Sequence, residues 1–446
     1  MKISMSFALA LSVLLSVWIP PDAIAQTANA DAFSPQGPGF TSDVLDPVVE
    51  LQLARQRREQ AKAPGISLFA TSPLTPIRER GIEFEKRLYD LTDIKFATNF
   101  NHLLQGLSDE IPGEDDYGMS TFMTFVATWD GWRKGRPNQG ELTIGLDGRW
   151  NWGTIDPTTL GARGLGSAGL TANPFTTYTP TFLVRNLFWR QGGQEAGWAY
   201  RIGRVTPDQF LSSSRHITPL TTFLPASGTG AFSMGLADSG LGMMAGLRLN
   251  DRANVTGVVS DANADRTNFG KLDEGDLFTA VELQVKILPL TKQAGYSKVT
   301  FWHNDGTRNG TAINGSTGRE GWGAFIKYEQ ELTHDGRIIG IGRWGKCSNR
   351  SAAWKEQAAA HLLVYDPFSS GRFSKMGFNA DLAGVAYNWL LPSNVDRGES
   401  NVETFYRFPL FPEVDASLSY QAIINPALDP DNDYGSAFSL RLRSTW

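Results

Sequence analysis

Residues 434–446 read Tyr-Gly-Ser-Ala-Phe-Ser-Leu-Arg-Leu-Arg-Ser-Thr-Trp. Alternate positions separate cleanly: Tyr434, Ser436, Phe438, Leu440, Leu442, Ser444 and Trp446 fall on one side, Gly435, Ala437, Ser439, Arg441, Arg443 and Thr445 on the other. Only an extended strand turns successive side chains to opposite faces, so this is a strand with an apolar, aromatic face and a face carrying arginines. Its last residue is Trp446. Chain ends fray unless something ties them down, and a closing strand of a barrel, paired with the first strand and ringed by aromatics at the membrane interface, is tied down in that way. Phe438 and Trp446 are therefore the expected assembly signal.

The same two-residue period recurs upstream. In 141–152, Leu142, Ile144, Leu146, Trp150 and Trp152 alternate with Glu141, Thr143, Asp147, Arg149 and Asn151. In 276–287, Leu277, Val281, Leu283 and Val285 oppose Asp276, Glu282, Gln284 and Lys286. In 322–331, Trp322, Ala324, Ile326 and Tyr328 oppose Phe325, Lys327, Glu329 and Glu331. Gly, Asp, Asn and Pro clusters punctuate these runs, as turns require. From Leu91 onward about sixteen runs can be counted, centred near 98, 124, 146, 186, 200, 243, 257, 282, 300, 326, 341, 361, 383, 404, 420 and 440. Those near 341 and 361 alternate poorly. The spacing suits strands of about ten residues with short turns at one end and longer loops at the other. The fold class expected is all-β, a transmembrane antiparallel barrel of about 16 strands.

The composition agrees. One cysteine, Cys347, excludes an internal disulfide or a cysteine-rich zinc site, and 46 Gly with 11% aromatics favour a turn-rich β-chain. A net charge of −5 without a concentrated basic face excludes a nucleic-acid partner. Residues 1–25 form a secretory signal: Lys2, an apolar run from Ile3 to Pro20, and Ala23-Ile24-Ala25 before a mature start at Gln26. No later stretch has the 18 or more apolar residues of a spanning helix, so membrane residence requires a barrel. Residues 26–80 make a non-barrel lead segment with room for one helix over Asp46–Lys62, and 81–446 is assigned to the barrel.

Particular residues carry a family resemblance. Glu403, Phe405-Tyr406-Arg407, Gln421, Asn425-Pro426 and Leu440-Arg441-Leu442-Arg443 before the terminal aromatic form one set, and Trp198 to Arg204, Asp261-Ala262-Asn263 and Asp381 to Trp389 form others. Together they resemble the carbohydrate-selective porins, the OprB-like family of bacterial outer membranes. The resemblance covers 81–446, loosely in the long loops, and Pro412-Glu413-Val414-Asp415 departs from the family's style. It implies a sixteen-stranded barrel for passive diffusion of small neutral sugars. The expected surroundings are outer-membrane lipid and lipopolysaccharide, a barrel-assembly machinery that inserts the chain, and a monomer or homotrimer, with neither cofactor nor metal.

With the apolar face toward lipid, the lumen receives Glu141, Asp147, Arg149, Arg201, Glu282, Lys286, Lys327, Glu329, Glu403, Arg407, Arg441 and Arg443. Both signs are present, and such a lining offers donors and acceptors to hydroxyl-rich neutral solutes rather than selecting one sign of ion. Arg donates in a planar fork, and lumenal aromatics such as Phe325 or Trp302 offer a stacking face. Each charge also has a plainer reading as one rung of an ion-pair ladder in the wall.

Residues 207–234, with Arg215, His216, Phe223 and Phe232, are too rich in Pro, Ser and Thr for a strand; they either fold inward and narrow the channel or cover the outside. Residues 155–180 are the second such segment. Enzyme motifs are wanting: the five histidines form no HExxH, no GxSxG elbow occurs, and His303-Asn304-Asp305 reads as a turn. The four Asn-x-Ser/Thr matches are chance in a bacterial exported protein. The alternatives are a general or other-solute porin, a barrel-type lipid hydrolase, and a soluble secreted sugar-binding or sugar-cleaving β-protein.

Overall fold

The computed structural model describes residues 67–69 and 72–446, apart from 109, 178–180, 194, 215, 265–266, 268, 271, 287–294, 307–319, 334–335 and 368–380. The expected signal at 1–25, the candidate helix over Asp46–Lys62 and Arg215 lie outside the described residues. The first described element is a helix, α1 (Thr75–Thr92), opened by Pro76 in its first turn and closed by Asp93 in a left-handed conformation (φ 58°). It straddles the boundary drawn at 80/81, because Ile77, Phe84 and Leu91 recur at a helical spacing and nothing in 81–92 alternates.

The strands follow: β1 (Ile94–Ser108), β2 (Tyr117–Trp132), β3 (Gly140–Asn151), β4 (Phe182–Gly193), β5 (Trp198–Val205), β6 (Gly240–Asn250), β7 (Ala253–Asp261) and β8 (Leu277–Lys286). The second half comprises β9 (Gly295–Asn304), β10 (Gly321–Glu331), β11 (Ile338–Cys347), β12 (Trp354–Tyr365), β13 (Leu382–Pro392), β14 (Glu399–Phe411), β15 (Val414–Ile424) and β16 (Tyr434–Thr445). Every centre read from the sequence falls inside one of these strands, including the poorly alternating runs near 341 and 361. Each strand pairs antiparallel with its sequence neighbours, and β16 pairs with β1 to close the barrel. The closing register sets Asn99 opposite Thr445 and Leu104 opposite Leu440. Beyond it, Trp446 exchanges backbone hydrogen bonds with Thr98 in both directions at 2.8 and 3.0 Å. In hydrocarbon an unpaired backbone group costs several kcal/mol, so this seam is a condition of membrane residence.

The two faces separate as the alternation requires. Leu142, Ile326, Phe438 and Leu440 are exposed on the outer wall, while Glu141, Asp147, Lys327, Arg441 and Arg443 are buried on the inner one. Exposed aromatics gather near both strand ends. Trp129, Trp132 and Trp198 lie toward the end with the short turns, and Tyr117, Phe182, Trp322 and Tyr434 toward the other. Two such belts with an apolar band between them mark a transmembrane barrel.

Because Trp446 completes the seam on the outer face, Trp446→Asp is expected to lower the amount of folded barrel, read as the fast-migrating form on unheated gels that heating abolishes. Unchanged folded levels would assign the seam's stability to the upstream pairs alone.

Candidate functional site

The connection from β5 to β6, residues 206–239, carries Pro207, Pro219 and Pro225 and among its described residues forms only short helical turns, including α3 (Ala226–Thr229); the connection from β3 to β4, residues 152–181, contains α2 (Pro157–Gly164). Backbone outside a ladder must still find hydrogen-bond partners. Here it finds them on inward side chains all around the barrel. Ser212 N–H donates to Glu282 of β8 at 2.6 Å, Lys298 of β9 donates to Ser213 Oγ at 2.8 Å, and Asn304 of β9 donates to the Gly235 carbonyl at 2.6 Å. Arg343 of β11 donates to the carbonyls of Gly228 and Gly230, and Gln357 of β12 accepts from Ser233 N–H at 2.7 Å. Both Glu403 oxygens on β14 accept the Leu224 N–H at 3.0 and 3.2 Å. Arg441 of β16 donates to the carbonyls of Pro219 and Thr222 at 2.6 and 2.9 Å, and Arg407 to that of Thr221 at 3.0 Å. A segment that meets strands from β8 round to β16 on their inner faces crosses the lumen.

The second segment folds inward beside it. Asp156 caps α2 through Thr159 N–H at 2.9 Å, and Glu399 accepts from Ser167 Oγ, Ala168 N–H and Gly169 N–H at 2.6, 2.8 and 3.0 Å. Asn173 N–H donates to the Leu224 carbonyl and Ala226 N–H to the Leu170 carbonyl, both at 3.0 Å, so the two inward segments are joined to each other. Apolar packing completes the plug. Phe223 lies against Ile339, Leu363, Leu382 and Phe405, while Phe210 and Met234 pack with Phe278, Trp302 and Phe325. Glycine makes the approach possible: a Cβ on Gly384 would meet the Phe223 ring at 2.9 Å, and one on Gly228 would meet Asn388 Oδ1 at 2.8 Å.

A cavity of roughly 270 Å³ lies between this plug and the β2–β4 wall. Asp147, Arg149 and Arg185 line it from the wall, and Asp208, Gln209, Ser212 to Ser214 and Asp238 from the loop. Asp147 pairs with Arg149 at 3.2 Å and Arg185 at 2.9 Å, and Arg185 reaches Asp208 at 3.2 Å. Arg149 also lies over the Phe122 ring at 4.7 Å and donates to the Pro174 carbonyl at 2.9 Å. Enclosure pushes the Asp208 carboxyl up from its ordinary value; Arg185 opposes the shift and Asp238 adds to it. The lining is thus charged in both signs and rich in hydroxyl and amide groups on the loop side.

The residues singled out from the sequence divide accordingly. Asp147 and Arg149, both largely buried, line the cavity. Glu403, Arg407 and Arg441 hold the crossing loop. Glu141 pairs with Arg190 at 2.8 Å, Lys327 with Glu329 at 3.0 Å, and Arg443 approaches Asp415 at 4.0 Å, each a rung of the wall. Arg201 is buried between the Phe188 and Phe210 rings, at 5.1 and 4.4 Å. The expected stacking aromatics Phe325 and Trp302 are 1% and 3% exposed beneath the plug, which leaves no face for a solute. Arg185 was missed, for a physical reason. In the β3–β4 ladder Gly145 pairs with Asn186 and Leu146 with Val184, so Arg185 is the extra residue of a bulge, where strict alternation fails and a side chain is re-aimed. Asp208, Gln209 and Asp238 were missed because they belong to a loop without period.

No protein-family model and no curated protein sequence matches the chain. Among solved structures, OprB of Pseudomonas putida at high pH superposes with a TM-score of 0.65 at 12% identity, over 86% of this chain and 99% of that one. The chain has the OprB porin fold. The low-pH OprB structure gives a TM-score of 0.49 at 10% identity over 82% of this chain and 96% of that one, and a Rh. blastica porin variant gives 0.48 at 8% identity over 79% and 100%. The fold comparison rests on the high-pH OprB structure alone.

Losing a hydrogen bond to a charged partner costs on the order of 1.5–3 kcal/mol, too little to open sixteen paired strands but enough to loosen one loop. Glu403→Ala is therefore expected to leave the heat-modifiable barrel intact while raising single-channel conductance and exposing the 219–224 stretch to protease. Wild-type conductance in this variant would show that the remaining contacts hold the loop by themselves.

Proposed function

We propose that the chain is a passive diffusion channel of a bacterial outer membrane that prefers small neutral carbohydrates. The observation that carries this reading is the cavity beside the plug, in which Asp147, Arg149, Arg185 and Asp208 set both signs of charge against each other over a few ångströms. Paired charges cancel the net field that would select a cation or an anion, yet keep a dense array of donors and acceptors for vicinal hydroxyls. The half-buried Gln209, Ser213 and Ser214 of the loop extend that array. The OprB fold supports the porin part of the reading, and the lipid-facing band with two aromatic belts supports the membrane part. Outer-membrane lipid and lipopolysaccharide then surround the wall, and a barrel-assembly machinery is the partner for its insertion.

Recording from single channels in planar bilayers tests the proposal. Weak preference between potassium and chloride is expected, together with concentration-dependent block of the current by neutral sugars at millimolar levels, an affinity of about 4 kcal/mol that still permits release. Arg185→Ala and Asp208→Asn should each weaken the block severalfold, and removal of residues 210–236 should raise conductance and abolish block together. A channel that conducts with a strong preference for one ion sign, indifferent to sugars, would return the protein to the general or other-solute porins.

A further inference from the structure

Helix α1 meets the barrel through an unexpected face. Thr75, Arg78, Ile82, Glu85 and Tyr89 follow a three- and four-residue spacing and are half-buried, as is Leu88 at the edge of that face, so they form the contact side. That side is mostly polar: Thr75 Oγ1 donates to Glu413 at 3.0 Å, Arg78 lies 3.8 Å from Glu413, and Tyr89 OH donates to Asp130 at 3.2 Å. The apolar stripe points elsewhere. Ile77, Phe84 and Leu91, seven residues apart, are 62%, 59% and 83% exposed. An amphipathic helix on a protein in water does the reverse and turns its apolar stripe to the core.

The surroundings supply the reason. Glu413 sits in the β14–β15 turn and Asp130 near the end of β2, so α1 follows the short-turn rim of the barrel. Phe84 reaches the outer wall there. Its ring lies 6.2 Å from that of Phe96 on β1, and Phe96 lies 6.1 Å from Phe125 on β2. Phe96 and Phe125 alternate with the buried inward residues Ala97 and Val126, so they belong to the lipid-facing surface. The stripe on α1 thus continues the apolar band of the barrel past its rim. Arg80 and Arg87 border the stripe, each three residues after one of its members and four before the next, and both are exposed.

We propose that α1 is an interfacial helix, with Ile77, Phe84 and Leu91 among the phospholipid chains of the leaflet at the short-turn end and Arg80 and Arg87 at the headgroup phosphates. The occupant is phospholipid because the stripe is continuous with a surface that lipid already covers, and because long basic side chains beside an apolar stripe reach outward to anionic headgroups. The proposal rests on the transmembrane barrel and is independent of the solute that passes through it.

The test uses the full chain with Cys347→Ser, since the native cysteine is the sole one and is buried. Single cysteines at Ile77, Phe84 and Leu91, and at Glu79 and Glu83 as polar-side controls, carry an environment-sensitive fluorophore in vesicles of phosphatidylethanolamine and phosphatidylglycerol. Heat-modifiable migration confirms that each variant is folded. Labels on the stripe are expected to emit at shorter wavelength and to be quenched severalfold more by lipid-attached nitroxides than the controls, with protection from aqueous iodide. Ile77→Cys and Leu91→Cys leave the Phe84 contact untouched, so they report even where Phe84→Cys shifts the helix. Equal iodide quenching at stripe and control positions would overturn the proposal. So would spin-label broadening between copies without nitroxide quenching, which would assign the stripe to a second copy of the chain.

Discussion

A peptide group facing hydrocarbon has no water to bond with, and from this constraint the rest of the molecule follows. Each strand needs a neighbour on both sides, which sixteen antiparallel strands achieve only when β16 returns to β1. Closure then sorts the side chains. One position in two belongs to lipid and is spent on Leu, Val, Phe and Trp, and the other points into a space about as wide as the barrel itself. That inner space cannot stay empty of structure if the channel is to discriminate among solutes by size and chemistry.

The inner wall meets the same demand for hydrogen bonds a second time. A loop that crosses a lumen has no ladder, so its amide and carbonyl groups turn to Glu282, Arg343, Glu403, Arg407 and Arg441. Charged side chains suit the task because a carboxylate accepts and a guanidinium donates several bonds at once. The consequence is a division of labour around the barrel. Charges on β8 to β16 hold the plug, while Asp147 and Arg149 of β3 and Arg185 of β4, with Asp208 and Asp238 from the loop, line the cavity beside it. At the rim, α1 meets the barrel through a mostly polar face, while Ile77 and Leu91 are exposed and Phe84 lies beside Phe96 of the outer wall.

Much of this was legible along the chain, because a period of two survives in sequence whatever the partners are. Strand number, the lipid and lumen faces, and the closing role of residues 434–446 all follow from that period together with turn chemistry. The site was only partly legible. Glu403 and Arg441 were visible as inward charges, but their partners are backbone groups some two hundred residues away in a loop without period, and nothing local marks a side chain as an anchor rather than a contact. Arg185 was hidden for the opposite reason, since the bulge at Asn186 and Val184 breaks the alternation that identified its neighbours.

The sequence by itself determined the barrel: alternation, aromatic ends and turn residues act over a few positions, and each run states its own faces. Only the tertiary structure decided how the inward segments fill the lumen. The inward path of 206–239 depends on contacts made simultaneously with strands from β4 round to β16, on Gly384 and Gly228 leaving space for a ring and a backbone turn, and on two loops bonding to each other at Asn173 and Leu224. Such contacts are long-range and cooperative, so they exist only once the barrel has closed around them.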